Sequence, residues 1–288
     1  MIHGSGKINL EHRGKGEGSL AKKQLESVTL HIGEKLLKPL YRVYEKWLWL
    51  QIKNGPFPRH VGIIPDGNRR WARERGLEVL DGHYFGYLKM KEVLKWIWEL
   101  KIPYVTLFAM STENCLYRSP EERSNLFNII KQGLEELGKM PDIYKNKVKV
   151  LVVGNLDIVP DEIKNLATEI MKATSSHDKY TLTIALCYGG RQEIIEAVKR
   201  IASDAAMGVI NPSDVTEELF SKYLSTGGIP DLDLIVRTSG EERISNFLLW
   251  HSAYSELYFC DAYWPEFRKI DFWRAIRSYQ RRERRFGR

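Results

Sequence analysis

HVGIIPDGNRRWA, His60–Ala72, is the stretch whose reading decides the fold of this chain. His60–Ile64 is a short apolar run of the kind that forms a buried strand. Pro65 and Gly67 break it, and Asn68, Arg69 and Arg70 follow as a helix begins. Strand, polar turn and helix in that order make the opening of an α/β unit. The same alternation continues downstream. Strand-like runs lie at Tyr104–Ala109, Val148–Val153, Leu182–Leu186, Leu232–Val236 and Glu256–Phe259. Helical patterns lie at Tyr84–Leu100, Glu121–Lys139, Asp161–Ala173, Gln192–Ala205, Val215–Leu224 and Asp271–Arg285. Together they predict an α/β fold: one domain over residues 56–288, with a mostly parallel six-stranded sheet flanked by helices.

Upstream, residues 1–27 read as a polar leader without an apolar signal core. Residues 28–55 read as an N-terminal amphipathic helix. Leu36, Leu37, Leu40, Tyr41, Tyr44, Trp47 and Leu48 recur at helical spacing, with Lys35, Lys38, Arg42 and Lys46 opposite. Such a helix suits either an anionic membrane surface or packing on its own domain. No apolar run approaches the roughly 18–20 residues that cross a bilayer.

Lys and Arg number 44 against 37 Asp and Glu, a net charge of +7, and 43% of residues are hydrophobic. That balance fits a globular protein with an anionic partner, or merely a solvated surface. The three cysteines, Cys115, Cys187 and Cys260, show no metal spacing, and their odd count argues against a disulfide framework. A reducing cytoplasmic location is the expectation, with membrane association open.

Ligands of parallel sheets bind at the carboxyl ends of the strands, and polar clusters fall there at Pro65–Trp71, Ser111–Asn114 and Arg237–Ser245. Arginine matches phosphate oxygens with paired hydrogen bonds, and helix-start amides attract anions. Asp66 would repel such a ligand unless a hard cation bridged the two; capping a helix is the plainer account. Ser119-Pro120-Glu121-Glu122 is explained by helix capping and an acidic first turn. Arg237, Arg243 and Ser245 on one loop would cradle a diphosphate, and Glu256 offers a second carboxylate.

Beyond these readings, the chain resembles the cis-prenyltransferases, the family of undecaprenyl and dehydrodolichyl diphosphate synthases. The resemblance runs from Pro58 to Gly287 through DGNRRWA, Gly82-His83, the SxEN of Ser111–Asn114, YGGR at Tyr188–Arg191, RTSGEERISNFLLW, YSELYF, WPEF and the terminal RRFG. It implies a transferase that condenses isopentenyl diphosphate onto an allylic diphosphate, farnesyl or geranylgeranyl, to make a long polyprenyl diphosphate for glycosyl-carrier lipids. It further implies Mg²⁺ as cofactor, a homodimer, peripheral membrane contact and no nucleic acid. Asp66, Ser111 and Asn114 become the catalytic candidates, and Asp66 and Glu256 the metal ligands. Gly67, Asn68, Arg69, Arg70, Trp71, His83, Arg118, Arg237, Arg243 and Ser245 become substrate-binding, with Arg285 and Gly287 reaching a neighbouring active site. An apolar tunnel between Tyr84–Leu100 and Glu121–Lys139, with small Ala109 on its floor, would hold the product.

Departures are few. Val79 stands where many members carry a phosphate-binding arginine, leaving Arg69, Arg73 or Arg75 to compensate; Pro65 replaces a methionine; Cys115 stands at an often aromatic position. A trans-prenyltransferase would need aspartate-rich DDxxD motifs, which are absent. A non-catalytic subunit of the same fold would not need the retained Asp66, Arg237, Arg243, Ser245 and Glu256. A nucleic-acid module rests on net charge alone.

Overall fold

The computed structural model describes residues 39–282. Helix α1 spans residues 39–52; of the predicted 28–55 helix, residues 28–38 lie outside the described residues and 53–55 form a turn instead. Its exposed apolar side chains, Leu40, Val43, Trp47 and Leu50, recur at spacings of three and four and share one face.

Strand β1 (His60–Ile64) is buried at all five positions, so both of its faces are covered. It pairs in parallel with β2 (Tyr104–Phe108) on one side and β5 (Leu234–Arg237) on the other. Strands β3 (Val148–Val153), β4 (Tyr180–Ala185) and β6 (Glu256–Phe259) complete a six-stranded sheet of order β3-β4-β2-β1-β5-β6, with every neighbouring pair parallel. The expected strands are all present, and β1, β3 and β6 have the expected ends. The connections are helical: α2 (Asn68–Glu74), α3 (Val79–Glu99), α4 (Thr112–Tyr117), α5 (Pro120–Lys139), α6 (Pro141–Lys145), α7 (Asp161–Ala173), α8 (Gly190–Ala206), α9 (Glu217–Tyr223) and α10 (Lys269–Arg281).

Two helix starts show how local chemistry sets the ends. Apolar spacing alone suggests that α3 begins at Tyr84, but Glu78 and Asp81 form a capping box that starts it at Val79. Helix α5 begins as expected: the Ser119 hydroxyl accepts from the Glu122 amide at 3.3 Å, and Pro120 follows at the first helical position.

From β1 the chain builds outward on the β2 side and later returns to the other side with β5. Strand order therefore reverses between β1 and β5, and loops leaving these strands diverge at their carboxyl ends. That crevice is where open α/β sheets bind ligands.

One sequence expectation fails. Cys115 and Cys187 form a disulfide, with Cα atoms 5.7 Å apart and a sequence separation of 72, while Cys260 is free. An odd cysteine count excludes full pairing, not a single bridge, and the pair meets only once β4 lies beside β2.

Candidate active site

The crevice holds an aspartate and an arginine from the two diverging strands. Arg237, the last residue of β5, is buried, and its Nη2 donates to Asp66 Oδ2 at 2.7 Å. Its Nη1 donates to Ser245 Oγ at 2.7 Å and also to the Arg243 carbonyl. The Asp66 backbone is clamped by Thr238: its amide donates to the hydroxyl oxygen at 2.9 Å, and that hydroxyl donates back to its carbonyl at 2.7 Å. The Gly67 amide donates to Asp66 Oδ1 at 2.7 Å. Gly67 has φ +96°, and a Cβ there would sit 2.6 Å from the Tyr263 ring and 2.8 Å from Ser239. Both conformation and space demand glycine. Arg70 completes this side, bonded to Ser239 and 2.9 Å from Glu241, with Asp66 Oδ1 3.9 Å away.

A second polar cluster faces it from α3, α4 and α5. The Ser111 hydroxyl caps α4 by accepting from the Asn114 amide at 3.2 Å. Arg118 donates from Nε to Asn114 Oδ1 at 3.0 Å and from Nη1 to Glu122 Oε1 at 2.7 Å. His83 Nε2 lies 3.2 Å from the same Glu122 oxygen, and Arg69 Nε lies 3.6 Å from it. Burial lowers the His83 pKa against the opposing pull of Glu122, so the imidazole is neutral near pH 7. Burial alone would raise Glu122, but Arg118, His83 and Arg69 together hold it below the ordinary carboxylate range. Gly82 lets α2 and α3 close at this point, since a Cβ there would meet the Asn68 carbonyl oxygen at 2.3 Å.

Asp66, Asn68, His83, Ser111, Asn114, Arg118, Arg237 and Ser245 all border one cavity of about 580 Å³. Its deeper wall is apolar, built from Met90 and Leu94 of α3, Ile130 and Leu134 of α5, and Leu107 and Ile184 of the sheet. Ala109 lines it as expected. Away from the polar clusters, Lys91 and Glu136 also border it, joined at 2.5 Å, with the Lys91 ammonium 5.3 Å from the Tyr87 ring centroid. Along α5, Glu136 lies about 20 Å from Glu122 at 1.5 Å per residue. Two buried polar atoms at the mouth, Asn68 Oδ1 and Arg237 Nε, have no protein partner. Buried polar atoms are otherwise almost always bonded, so these valences are left for a ligand.

Several expected residues sit elsewhere. Trp71 is buried against Phe85, with ring centroids 5.1 Å apart, and does not border the cavity; it packs α2 onto α3. Arg243 contributes its carbonyl to Arg237, while its exposed guanidinium pairs with Glu241. Arg75 stacks on Trp71 and pairs with Glu266, so of the possible substitutes for the arginine missing at Val79, Arg69 is the one beside the Glu122 cluster. Glu256 is not brought to Asp66 within the chain. Its register partner is Leu234, three residues before the level of Arg237, about 10 Å down the strand, and it bonds Arg282 at 2.5 Å. Among the described residues no three His, Cys, Asp or Glu side chains gather as a metal site. Arg285 and Gly287 lie outside the described residues. Glu122 is the residue that sequence reasoning missed. Capping accounts for its backbone, and the available signal was its spacing of four from Arg118, which puts both on one side of the turn.

Comparison with known proteins identifies the family. Residues 64–287 fit the prenyltransferase family profile described as "Putative undecaprenyl diphosphate synthase". The chain is 54% identical over 256 residues to a tritrans,polycis-undecaprenyl-diphosphate synthase (geranylgeranyl-diphosphate specific) of Sulfurisphaera tokodaii, covering 89% of this chain and 98% of the relative. A protein of the same description from Methanopyrus kandleri is 50% identical over 252 residues, covering 88% and 93%. Among solved structures, lavandulyl diphosphate synthase from Lavandula x intermedia in complex with dimethylallyl diphosphate superposes with a TM-score of 0.77 at 32% identity, covering 81% of this chain and 99% of that one. A probable undecaprenyl diphosphate synthase from Campylobacter jejuni gives 0.66 at 29% identity, covering 81% and 100%. With a parallel-sheet crevice, a cationic mouth and an apolar cavity beneath it, the chain belongs to the undecaprenyl diphosphate synthase family of cis-prenyltransferases.

Proposed function

We propose that this transferase extends geranylgeranyl diphosphate by successive cis additions of isopentenyl diphosphate, with Mg²⁺, to give a long polyprenyl diphosphate that serves as a glycosyl-carrier lipid precursor. The observation that carries the reading is the Asp66–Arg237 pair at the mouth of the apolar cavity. A diphosphate head at the mouth and a hydrocarbon tail below it match the two halves of that cavity. Farnesyl diphosphate is the alternative starter. The specificity in the names of the archaeal relatives favours the C20 starter.

The donor set suits a hard cation. The Asp66 side chain is one-third exposed, and Mg²⁺ sites commonly use one or two carboxylates, substrate phosphate and several waters. Asp66 would hold the Mg²⁺, and the bound cation would supply positive charge against the departing diphosphate. The chain's own contribution is electrostatic. Arg237 and Arg70 face the crevice with charge fixed before the ligand arrives, which costs no reorganisation as the allylic carbon–oxygen bond breaks. Arg237 Nε offers a donor to a head-group oxygen, whereas Asn68 Oδ1 only accepts and so suits a cation's water rather than the phosphate itself. Ser111 and Asn114 border the cavity near the reacting carbons and orient the substrate pair. Each five-carbon unit entering the apolar wall gains about 0.8 kcal/mol per buried CH₂, so long products leave slowly.

In this reading the enzyme acts as a homodimer in contact with a membrane surface, to which the product is delivered. Incubation of the purified chain with labelled isopentenyl diphosphate and each starter, with Mg²⁺ or with chelator, followed by chromatographic sizing, tests it. Long products from geranylgeranyl diphosphate that vanish with chelator are expected. Equal chain growth in chelator, or no extension of any starter, would refute it.

A further inference from the structure

Helix α4 carries Asn114 and is capped by Ser111, yet it is only six residues long and buries a single side chain, Cys115. Its outer residues, Leu116 and Tyr117, are 49% and 81% exposed. So short a helix has no intrinsic stability and must be held by its surroundings. Toward α5 it is held by Arg123, whose Nη1 donates to the Cys115 carbonyl at 3.1 Å, and by Arg118; toward the sheet it is held by the turn after β4. The Thr112 amide donates to the Tyr188 carbonyl at 3.0 Å, the Tyr188 amide to the Met110 carbonyl at 3.1 Å, and the Thr112 hydroxyl to the Cys187 carbonyl at 3.0 Å. At the same spot Cys115 is bonded to Cys187, and both are buried. Cys187 has φ +48°, a left-handed conformation unfavourable to any residue with a Cβ, which persists where the surroundings over-determine it. The turn after β4 is thus a fixed post, and the disulfide ties α4 to it.

We propose that the Cys115–Cys187 disulfide is a positioning element of the active site, holding Ser111 and Asn114 in register with the Asp66–Arg237 pair and so making turnover depend on its thiol state. The inference rests on the proposed role of the Ser111–Asn114 turn. With a dithiol reductant, one thiolate attacks a protein sulfur, a mixed disulfide forms, and the second thiol resolves it. The protein S–S bond is replaced by two S–H groups, and the dithiol becomes a cyclic disulfide, with two electrons and two protons transferred. Arg237 and Arg70 stand on other loops, so affinity for diphosphate survives. Alignment of the reacting carbons does not.

The test counts thiols first. Of the chain's three cysteines, one per chain should react with Ellman's reagent after denaturation without reductant, and all three after dithiothreitol. Three reactive thiols without reductant overturn the proposal. Steady-state kinetics then compare oxidised enzyme, enzyme reduced and alkylated with iodoacetamide, enzyme reduced and reoxidised, and the C115S/C187S variant, each checked for folding by thermal melt. The expected result is a kcat about ten- to a hundredfold lower in the open forms, with KM for isopentenyl diphosphate within about twofold, and recovery on reoxidation. Should the variant not fold, the reduced wild-type enzyme before and after reoxidation decides. Equal kcat in open and closed forms refutes positioning while leaving the enzyme assignment intact; no activity in any form counts against the assignment itself.

Discussion

The two ends of β1 carry polar side chains six residues apart and use them in opposite ways. At the amino end, the His60 Nδ1 lies 2.7 Å from the Pro230 carbonyl and Nε2 lies 2.8 Å from the Thr106 hydroxyl. A carbonyl can only accept, so Nδ1 carries the proton and Nε2 accepts from Thr106. Asp233 accepts from the Arg59 and His60 amides at 2.7 and 3.1 Å. At the carboxyl end, Asp66 and Arg237 are paired, yet Arg237 Nε and the neighbouring Asn68 Oδ1 are left without partners. Both ends are polar and hold a buried cationic or titratable side chain, His60 at one and Arg237 at the other. The difference is leftover hydrogen-bonding capacity, and it separates a structural polar cluster from one built to meet a ligand.

Breaking the carboxyl end should have the largest effect. Asp66→Ala leaves the Arg237 guanidinium buried without its carboxylate and removes the carboxylate proposed to hold Mg²⁺; kcat/KM for elongation should fall by about 10²–10³-fold. Steady-state incorporation of labelled isopentenyl diphosphate measures it, and a loss under tenfold would contradict the comparison. Breaking the amino end should cost stability instead. Burial lowers the His60 pKa from 6.5 to about 4. Because the folded value is the lower one, the associated stability is complete above pH 6.5 and drains away as pH falls to 4. At 1.36 kcal/mol per pKa unit this is about 3 kcal/mol. Denaturant unfolding at pH 7.5 and 4.5 should show that slope in the wild type and lack it in His60→Gln, with activity at pH 7.5 nearly unchanged.

Glu122→Gln sharpens the contrast within the mouth. It weakens a charge-assisted bond to Arg118, and a kcat/KM loss of about tenfold is expected, with Arg118 less well fixed on Asn114. The smallest effect belongs to Glu136→Ala. Lys91, followed by Tyr87 and Gln132, holds the Glu136 carboxyl down at about 2 by hydrogen bonding. The pair is exposed, so stability should change by less than about 1 kcal/mol. Product sizing should still register the change, as a shift toward longer chains once this pair at the cavity's edge is unlatched.

Much of this was legible in the sequence for a simple reason: β1, β3 and α7 are bounded by residues whose chemistry acts locally. Pro65 ends β1, and Pro160 precedes α7. The meeting of Asp66 with Arg237 followed from the rule for strand ends, since each sits at or just past a carboxyl terminus. What was not legible depends on partners distant in the chain. Register alone reveals that Glu256 stands level with Leu234 rather than with Arg237. Trp71 reads as part of the substrate loop, but 3.6-residue geometry turns it inward onto Phe85. Glu122 has a sufficient local explanation in capping, which hid its second role. Cys115 and Cys187 meet only because β4 was laid beside β2, an order that no local pattern encodes.

The same sulfur bridge has a covalent consequence. Between its two ends the chain builds α5, α6, β3, α7 and β4, which supply one wall of the apolar cavity and the outer flank of the sheet. That whole stretch is a closed ring, so a protease nick anywhere inside it yields two pieces still joined. On a non-reducing gel the cut protein would migrate as one species, and the apolar wall of the cavity would stay tethered to the turn after β4 when its backbone had been severed.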